Sequence, residues 1–378
     1  MKAFFRFIVG LIAIVAILVL SLYLSGNEYL VKGVWATYLH GEKSATIGDA
    51  QFFDTRPVEA GTAQPWPVSS QYNQQELSAS LKEMLENTRS VAYLVVKNDS
   101  IVYEQYWDGY SDTSHSNLFS STKSIISMLA QCAIQDGYVE SWDQPVSTFL
   151  PELKGDFSSE LTFRHLSTMT AGLDFDEHYT DPFCITAQMY YTDDVWQLMV
   201  DKVPASEKPG RAFEYQSGAT QILGMAIIKA TGMSLSEYAS KRLWKPLGAE
   251  NSAYWHLDRK DGTEMAYCCF NTNARDFARF GKMMLHHGNF NGTQILDSSY
   301  YDLASEPYGV PFYGHGFWID DDADTKIFYQ RGILGQYCIV IPEENLVIVR
   351  MGHERIKEPG KQHPSDFTTY VEESRKLF

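Results

Sequence analysis

A serine followed three places later by a lysine, Ser120 and Lys123, opens the stretch NLFSSTKSIISMLAQCAIQDGYV, whose remainder is apolar nearly all round. If a helix starts near Ser120, its hydroxyl lies in the first turn, near orphan N–H groups and the positive end of the helix dipole. Lys123 projects from the same face about one turn on. An ammonium pushed toward an apolar interior loses solvation, so its neutral form is favoured. A neutral amine is what a serine nucleophile needs to shed its proton. Alone the pattern is weak, since a chain this long contains roughly one or two Ser-x-x-Lys matches by chance. Ser120 is nonetheless the only serine here with a lysine three places later. The plainer alternative is an N-cap serine followed by a snorkelling lysine.

Two further stretches could complete such a site. In KPGRAFEYQSGATQILG, Tyr215 stands between a Pro-Gly turn and an amphipathic helix; it could face a cleft, where a neighbouring cation would favour phenolate, or simply be a packed aromatic. In QRGILGQYCIVI, Gly332 and Gly335 permit close backbone approach at a strand edge. An N–H between them could be a second oxyanion donor, or the glycines could mark only a bulge. The loop DFDEHYTDPFCITAQMYYTDD offers Tyr179, Asp181, Tyr190 and Tyr191 as substrate contacts, with an acidic mouth suited to amines. It could equally be a solvated loop. Asp320, Asp322 and Asp324 imitate a calcium loop, but Thr325 replaces the turn glycine and Arg331 the closing carboxylate. His286 and His287 sit at a helix end with no third ligand, so no metal and no cofactor is expected.

The elements that must position these groups read as strands at both ends with helices between. A helix with Leu77, Leu81 and Leu85 at four-residue spacing covers about 75–88. SVAYLVVKNDSIVYEQYW forms two strands about a Lys97–Ser100 turn. Long helical segments follow, one starting after Tyr215 and stopped by Gly232, another with Ser234 and Glu237 at capping-box spacing. YGHGFWI, KIFYQRG, GQYCIVI and NLVIVRM return to strands, the last two joined through IPEENL, and a helix over 366–377 closes the chain. This is an α+β design, an antiparallel sheet with an inserted all-α region at about 116–260.

Of the 378 residues, 44% are hydrophobic and 21% charged, the balance of a globular protein with a sizeable core. A formal net charge of −16 without a basic cluster argues against nucleic acid. The five cysteines lack metal spacing and read as free thiols, the adjacent Cys268 and Cys269 needing strained geometry to bridge. MKAFFRFIVGLIAIVAILVLSLYLSG carries Lys2 and Arg6 before an uncharged run at 7–24. Such a run reaches about 27 Å, close to a hydrocarbon core. Residues 1–25 therefore read as an uncleaved anchor with the remainder outside the cytoplasm, in preference to a cleaved signal peptide. Residues 26–74 read as a linker or N-terminal extension, and 75–378 as the folded domain.

Over about 75–378 the chain resembles the serine β-lactamase and penicillin-recognising superfamily. The resemblance rests on the three stretches above and on LTFRHLSTMTAGLDF, the run from Tyr215 to Trp255, and FNTNARDFARFGKMMLHHGNFNGTQIL. It is strongest toward class C β-lactamases, family VIII esterases and 6-aminohexanoate-dimer hydrolases. The resemblance implies a catalytic serine at the start of a buried central helix between a sheet subdomain and a helical one. By position, Ser120 matches the nucleophile, Lys123 its partner and Tyr215 the tyrosine of a Tyr-x-Asn element in which Ser217 replaces asparagine. The lactamase Lys-Thr-Gly element is replaced by Gly332-Ile333-Leu334-Gly335-Gln336, so Ile333 contributes a main-chain N–H beside that of Ser120, and Gly335 and Gln336 become candidate substrate contacts. The implied chemistry is ester or small-amide hydrolysis through an acyl-enzyme. β-Lactam or D-alanyl peptide cleavage is the runner-up, and a non-catalytic envelope scaffold the reading from another class.

Overall fold

The computed structural model describes residues 1–378. Helix α1 (Lys2–Leu24) has no buried residue. By length and composition it is the one helix able to cross a bilayer, a test that an N-terminal signal sequence also passes. Helix α2 (Tyr29–Ala36) and strand β1 (Thr55–Val58) follow. Helix α3 (Ala79–Asn87) buries Leu81 and Leu85 and is capped by Ser78, whose Oγ accepts from Leu81 N at 3.2 Å. The hairpin β2 (Ser90–Lys97) and β3 (Ser100–Tyr106) turns through Asn98 and Asp99, both left-handed at φ of 49° and 64°. That geometry matches the right-handed twist of the strands.

After β4 (Ser116–Asn117) come the helices α4 (Thr122–Gln135), α5 (Phe163–Ser167), α6 (Ile185–Tyr191), α7 (Val195–Lys202), α8 (Ser217–Thr231) and α9 (Leu235–Ala239). Strands β5 (Ala253–His256) and β6 (Phe270–Thr272) lead to α10 (Ala274–Leu285), a small hairpin of β7 (Asn289–Phe290) and β8 (Thr293–Gln294), and α11 (Ser299–Ser305). The chain ends with β9 (Trp318–Ile319), β10 (Phe328–Gly332), β11 (Gln336–Ile341), β12 (Leu346–Gly352) and α12 (Ser365–Leu377).

Two antiparallel sheets result, one ordered β3-β2-β12-β11-β10-β9 and one ordered β1-β5-β6-β4. One apolar cluster of 96 buried residues runs through sheets and helices alike, so the helical region is inserted into a shared core. Helix α10 presses onto β11 and β12 at Gly281, where a Cβ would meet Val347 Cγ1 at 2.5 Å. The stretch before β1 and α3 also wraps the body. Thr55 pairs with His256, Val68 bridges Ile101, and Trp66 Nε1 donates to Arg275 O at 2.9 Å.

Three local readings change. YGHGFWI is mostly loop, because a Cβ on Gly314 would meet the Ala304 carbonyl at 2.7 Å and Gly316 is left-handed, leaving only Trp318–Ile319 as strand. Cys268 and Cys269 are bridged to each other rather than free, while Cys132, Cys184 and Cys338 are free thiols. Helix α4 begins at Thr122, and Ser120 lies in a 3-10 turn before it.

Candidate active site

The turn that carries Ser120 is built from both sheets. Strand β4 pairs with β6, which fixes Asn117 opposite Asn271. Asn117 Oδ1 accepts from Phe119 N at 2.9 Å, and Phe119 is left-handed at φ 47°, a costly conformation for a bulky residue. The 3-10 turn Phe119–Ser121 then lifts Ser120 to a half-buried position. The neighbouring hydroxyls are tied down. Ser121 Oγ donates to Gln336 O at 3.0 Å, Ser124 Oγ to Gly316 O at 2.6 Å and Ser127 Oγ to His315 O at 3.0 Å, while Thr122 Oγ1 accepts from Phe270 N at 3.3 Å. A wholly buried helix start thus has its polar groups satisfied, and Ser120 is left facing the cleft.

Lys123 is 2% exposed. Its Nζ donates to Ser120 Oγ at 3.1 Å and to Tyr267 O at 2.9 Å, and lies 5.2 Å from the Tyr215 ring centroid. Burial pulls the ammonium down from its ordinary value to about 8, with the Glu177 carboxylate opposing. Tyr215 lies at the start of α8, between Tyr313 and Trp318 at ring separations of 6.2 and 5.4 Å. Burial pushes its phenol well above the ordinary value, and the facing Ser120 hydroxyl only partly offsets this. The neighbouring guanidiniums of Arg331 and Arg355 pull the phenol down, but by less than burial raises it.

Ser120 and Tyr215 share a cleft of about 250 Å³ with Glu177, Trp318, Arg331 and Arg355. Strand β10 delivers its floor. At Gly332 a Cβ would sit 2.1 Å from the Leu118 carbonyl, so only glycine lets the strand end abut the turn that carries Ser120. Ile333 follows on the wall, and neither its main-chain N–H nor that of Ser120 donates to another backbone group. The Arg331 guanidinium carbon sits over Trp318, 3.4 Å from the ring centroid, with Nη1 donating to Gln362 O at 2.6 Å. Arg355 has no hydrogen-bonding or ionic partner on the wall it helps form. A larger open groove of about 530 Å³ lies elsewhere, beside α3. Of its lining residues, Arg89 pairs with Glu354 and His353 with Asp108.

The structure brings together Ser120, Lys123, Tyr215, Ile333 and, at the rim, Tyr179. It does not bring the other candidate contacts to the cleft wall. Ser217 sits behind the wall, its N and Oγ donating to the two oxygens of Glu177 at 2.6 and 2.7 Å. Asp181 accepts from Phe183 N within its own loop. Tyr190 is turned into the body onto Asp49, and Tyr191 packs against Phe53 and Gly33. Gln336 bonds Gly352 across the sheet, and Gly335 is left-handed to clear Arg350. The acidic-mouth reading gives way to a wall with two guanidiniums against one carboxylate, Glu177, which already accepts from Ser217 and from Tyr179. Sequence reasoning missed Glu177, Trp318, Arg331 and Arg355. Arg331 directly precedes Gly332 and Glu177 lies in the acidic loop, whereas Arg355 had no local signal.

A Ser-x-x-Lys pair at the start of a buried helix, between an antiparallel sheet and an inserted helical region, is the architecture of the penicillin-recognising superfamily. Residues 77–365 match the Beta-lactamase family, and the chain belongs to it, on the side of the aminohexanoate-dimer hydrolases, esterases and penicillin-binding-protein-like members. A 6-aminohexanoate-dimer hydrolase of Paenarthrobacter ureafaciens is 27% identical over 295 residues, covering 72% of this chain and 74% of the relative. A Bacillus anthracis structure described as a 6-aminohexanoate-dimer hydrolase superposes with TM-score 0.77 at 24% identity, over 88% of this chain and 94% of its own. A family VIII carboxylesterase superposes with TM-score 0.62 at 15% identity, over 83% and 99%.

Proposed function

We propose that the protein is a serine hydrolase of esters or small amides that works through a Ser120 acyl-enzyme. The observation that carries this reading is the 3.1 Å contact between Ser120 Oγ and a desolvated Lys123 amine. Neutral Lys123 takes the Ser120 proton as Oγ bonds to the substrate carbonyl carbon. The main-chain N–H groups of Ser120 and Ile333 hold the oxyanion, at about 3 kcal/mol per donor. Tyr215, kept protonated by burial, donates to the leaving group as its bond to carbon breaks, and is reprotonated through Lys123. Water activated by Lys123 then cleaves the acyl-enzyme. A second reading, cleavage of a β-lactam or acyl-peptide carrying a carboxylate, is favoured by the two guanidiniums of Arg331 and Arg355 on the wall.

Residues 1–25 are proposed to hold this domain on the outer side of the cytoplasmic membrane, the Lys2 and Arg6 end remaining inside, with release after signal cleavage as the alternative. Ser120→Ala is expected to abolish covalent labelling by a fluorophosphonate probe. Undiminished labelling of that variant rejects the assignment. Short neutral esters, anionic hemiesters and a chromogenic cephalosporin, compared on the wild type, separate the two readings.

A further inference from the structure

The Beta-lactamase family match begins at residue 77, yet a buried carboxylate from the preceding stretch reaches the nucleophile turn. Asp49 is 3% exposed. Its Oδ2 accepts from Tyr190 Oη at 2.5 Å and its Oδ1 from Asn117 Nδ2 at 3.3 Å. Two residues earlier, Ile47 O accepts from Asn117 N at 2.9 Å. Asn117 is therefore gripped on its main chain and its amide nitrogen by this segment, and its amide oxygen is directed at Phe119 N. That last bond holds the left-handed residue immediately before Ser120.

We propose that Asp49 is a positioning residue for the nucleophile, fixing the Asn117 amide so that its oxygen, and not its nitrogen, faces Phe119 N. A flipped amide would set two donors against each other and release the strained turn, moving Ser120 away from Lys123. Asp49 does not touch substrate; it acts through Asn117. Residues 47–49, ahead of the family match, thus help to position the nucleophile and are more than a linker. The proposal rests on the Ser120 chemistry above.

Asp49→Asn tests it with little change of volume. The new amide either turns its nitrogen toward Asn117, which drives the flip, or donates that nitrogen to Tyr190 Oη and holds Asn117 Nδ2 with a neutral oxygen; in both cases the charge-assisted grip on Asn117 is lost. The full chain in detergent micelles is mixed with an activated ester, and the burst of acylation, KM and melting temperature are measured. Asp49→Asn is expected to slow acylation roughly 10- to 100-fold while KM stays within about twofold, because a displacement near 1 Å costs that much in rate. Asn117→Ala cuts the same relay, so the double variant is expected to be no slower than the slower single. Wild-type acylation in Asp49→Asn, or losses that multiply in the double variant, overturns the proposal. Should Asp49→Asn not fold, wild-type acylation in folded Asn117→Ala overturns it instead. A wild-type protein that gives no burst sinks the functional reading and this one with it, whereas a normal burst in both wild type and Asp49→Asn sinks this one alone.

Discussion

The acid limb of the acylation rate is the most direct consequence of the site's geometry. Lys123 is enclosed, and burial brings its ammonium down to about 8. On the proposed mechanism only the neutral amine takes the Ser120 proton, so at pH 7 about one-tenth of the enzyme is competent and at pH 9 about nine-tenths. Acylation is expected to rise roughly tenfold across that interval, read as the pre-steady-state burst from an activated ester that does not itself titrate there. Glu177 is the one neighbouring charge that raises the Lys123 value. Glu177→Gln therefore moves the limb to lower pH, and the rate at pH 7 rises as a fraction of its own plateau even if the plateau falls. The plateau carries any loss from the bonds to Ser217, whereas the midpoint reports the charge. A flat profile between pH 7 and 9, or a midpoint that moves upward in Glu177→Gln, refutes the assignment of Lys123 as base.

Gly332→Ala places a Cβ about 2.1 Å from the Leu118 carbonyl and must displace either β10 or the nucleophile turn; acylation is expected to drop roughly 10- to 100-fold, and a wild-type burst refutes the abutment. Lys123→Met is expected to abolish acylation yet melt above the wild type at pH 7. The fall from 10.5 to about 8 is worth roughly 3 kcal/mol of burial cost, of which about 1–2 kcal/mol is returned by leaving the Tyr267 carbonyl unpaired. Below pH 8 both folded and unfolded lysine are charged, and between 8 and 10.5 the unfolded chain holds the extra proton, so wild-type stability recovers as pH rises and the gap to Lys123→Met closes. A gap that widens toward pH 10 contradicts the linkage.

What was legible in the sequence was whatever is local. The hairpin about Asn98 and Asp99, the cap at Ser78, the turn after Ile341 and the serine–lysine spacing each depend on residues within a few positions of one another. The cleft wall does not. Glu177 and Arg355 lie 178 positions apart and meet because a helical-region loop and the end of β12 approach the same serine, which no periodicity encodes. Asp49 was opaque for the same reason, lying in a stretch whose Pro, Ser and Gln content downstream suggests a linker, while its partner Asn117 is 68 positions on. The bridge between Cys268 and Cys269 was read against on steric grounds that apply to the pair in isolation.

The run of hydroxyls around Ser120 carries a second meaning that spacing alone could not separate from the first. Helix α4 is buried from Thr122 to Ala133, so every polar group in its opening turns must find a partner inside the protein. Ser121, Thr122, Ser124 and Ser127 each do so, with β11, β6 or the loop before β9. Those bonds stitch the helix start to both sheets, and they are the reason a lysine can be sunk one turn inside it without solvent. An exposed helix would keep Lys123 hydrated and charged at neutral pH, and the proposed mechanism would then lack its base. The chemistry follows from the packing. Unlike a surface ion pair, this lysine costs stability, which the proposed reactivity would explain, and the hydroxyl run confines that cost to a single side chain.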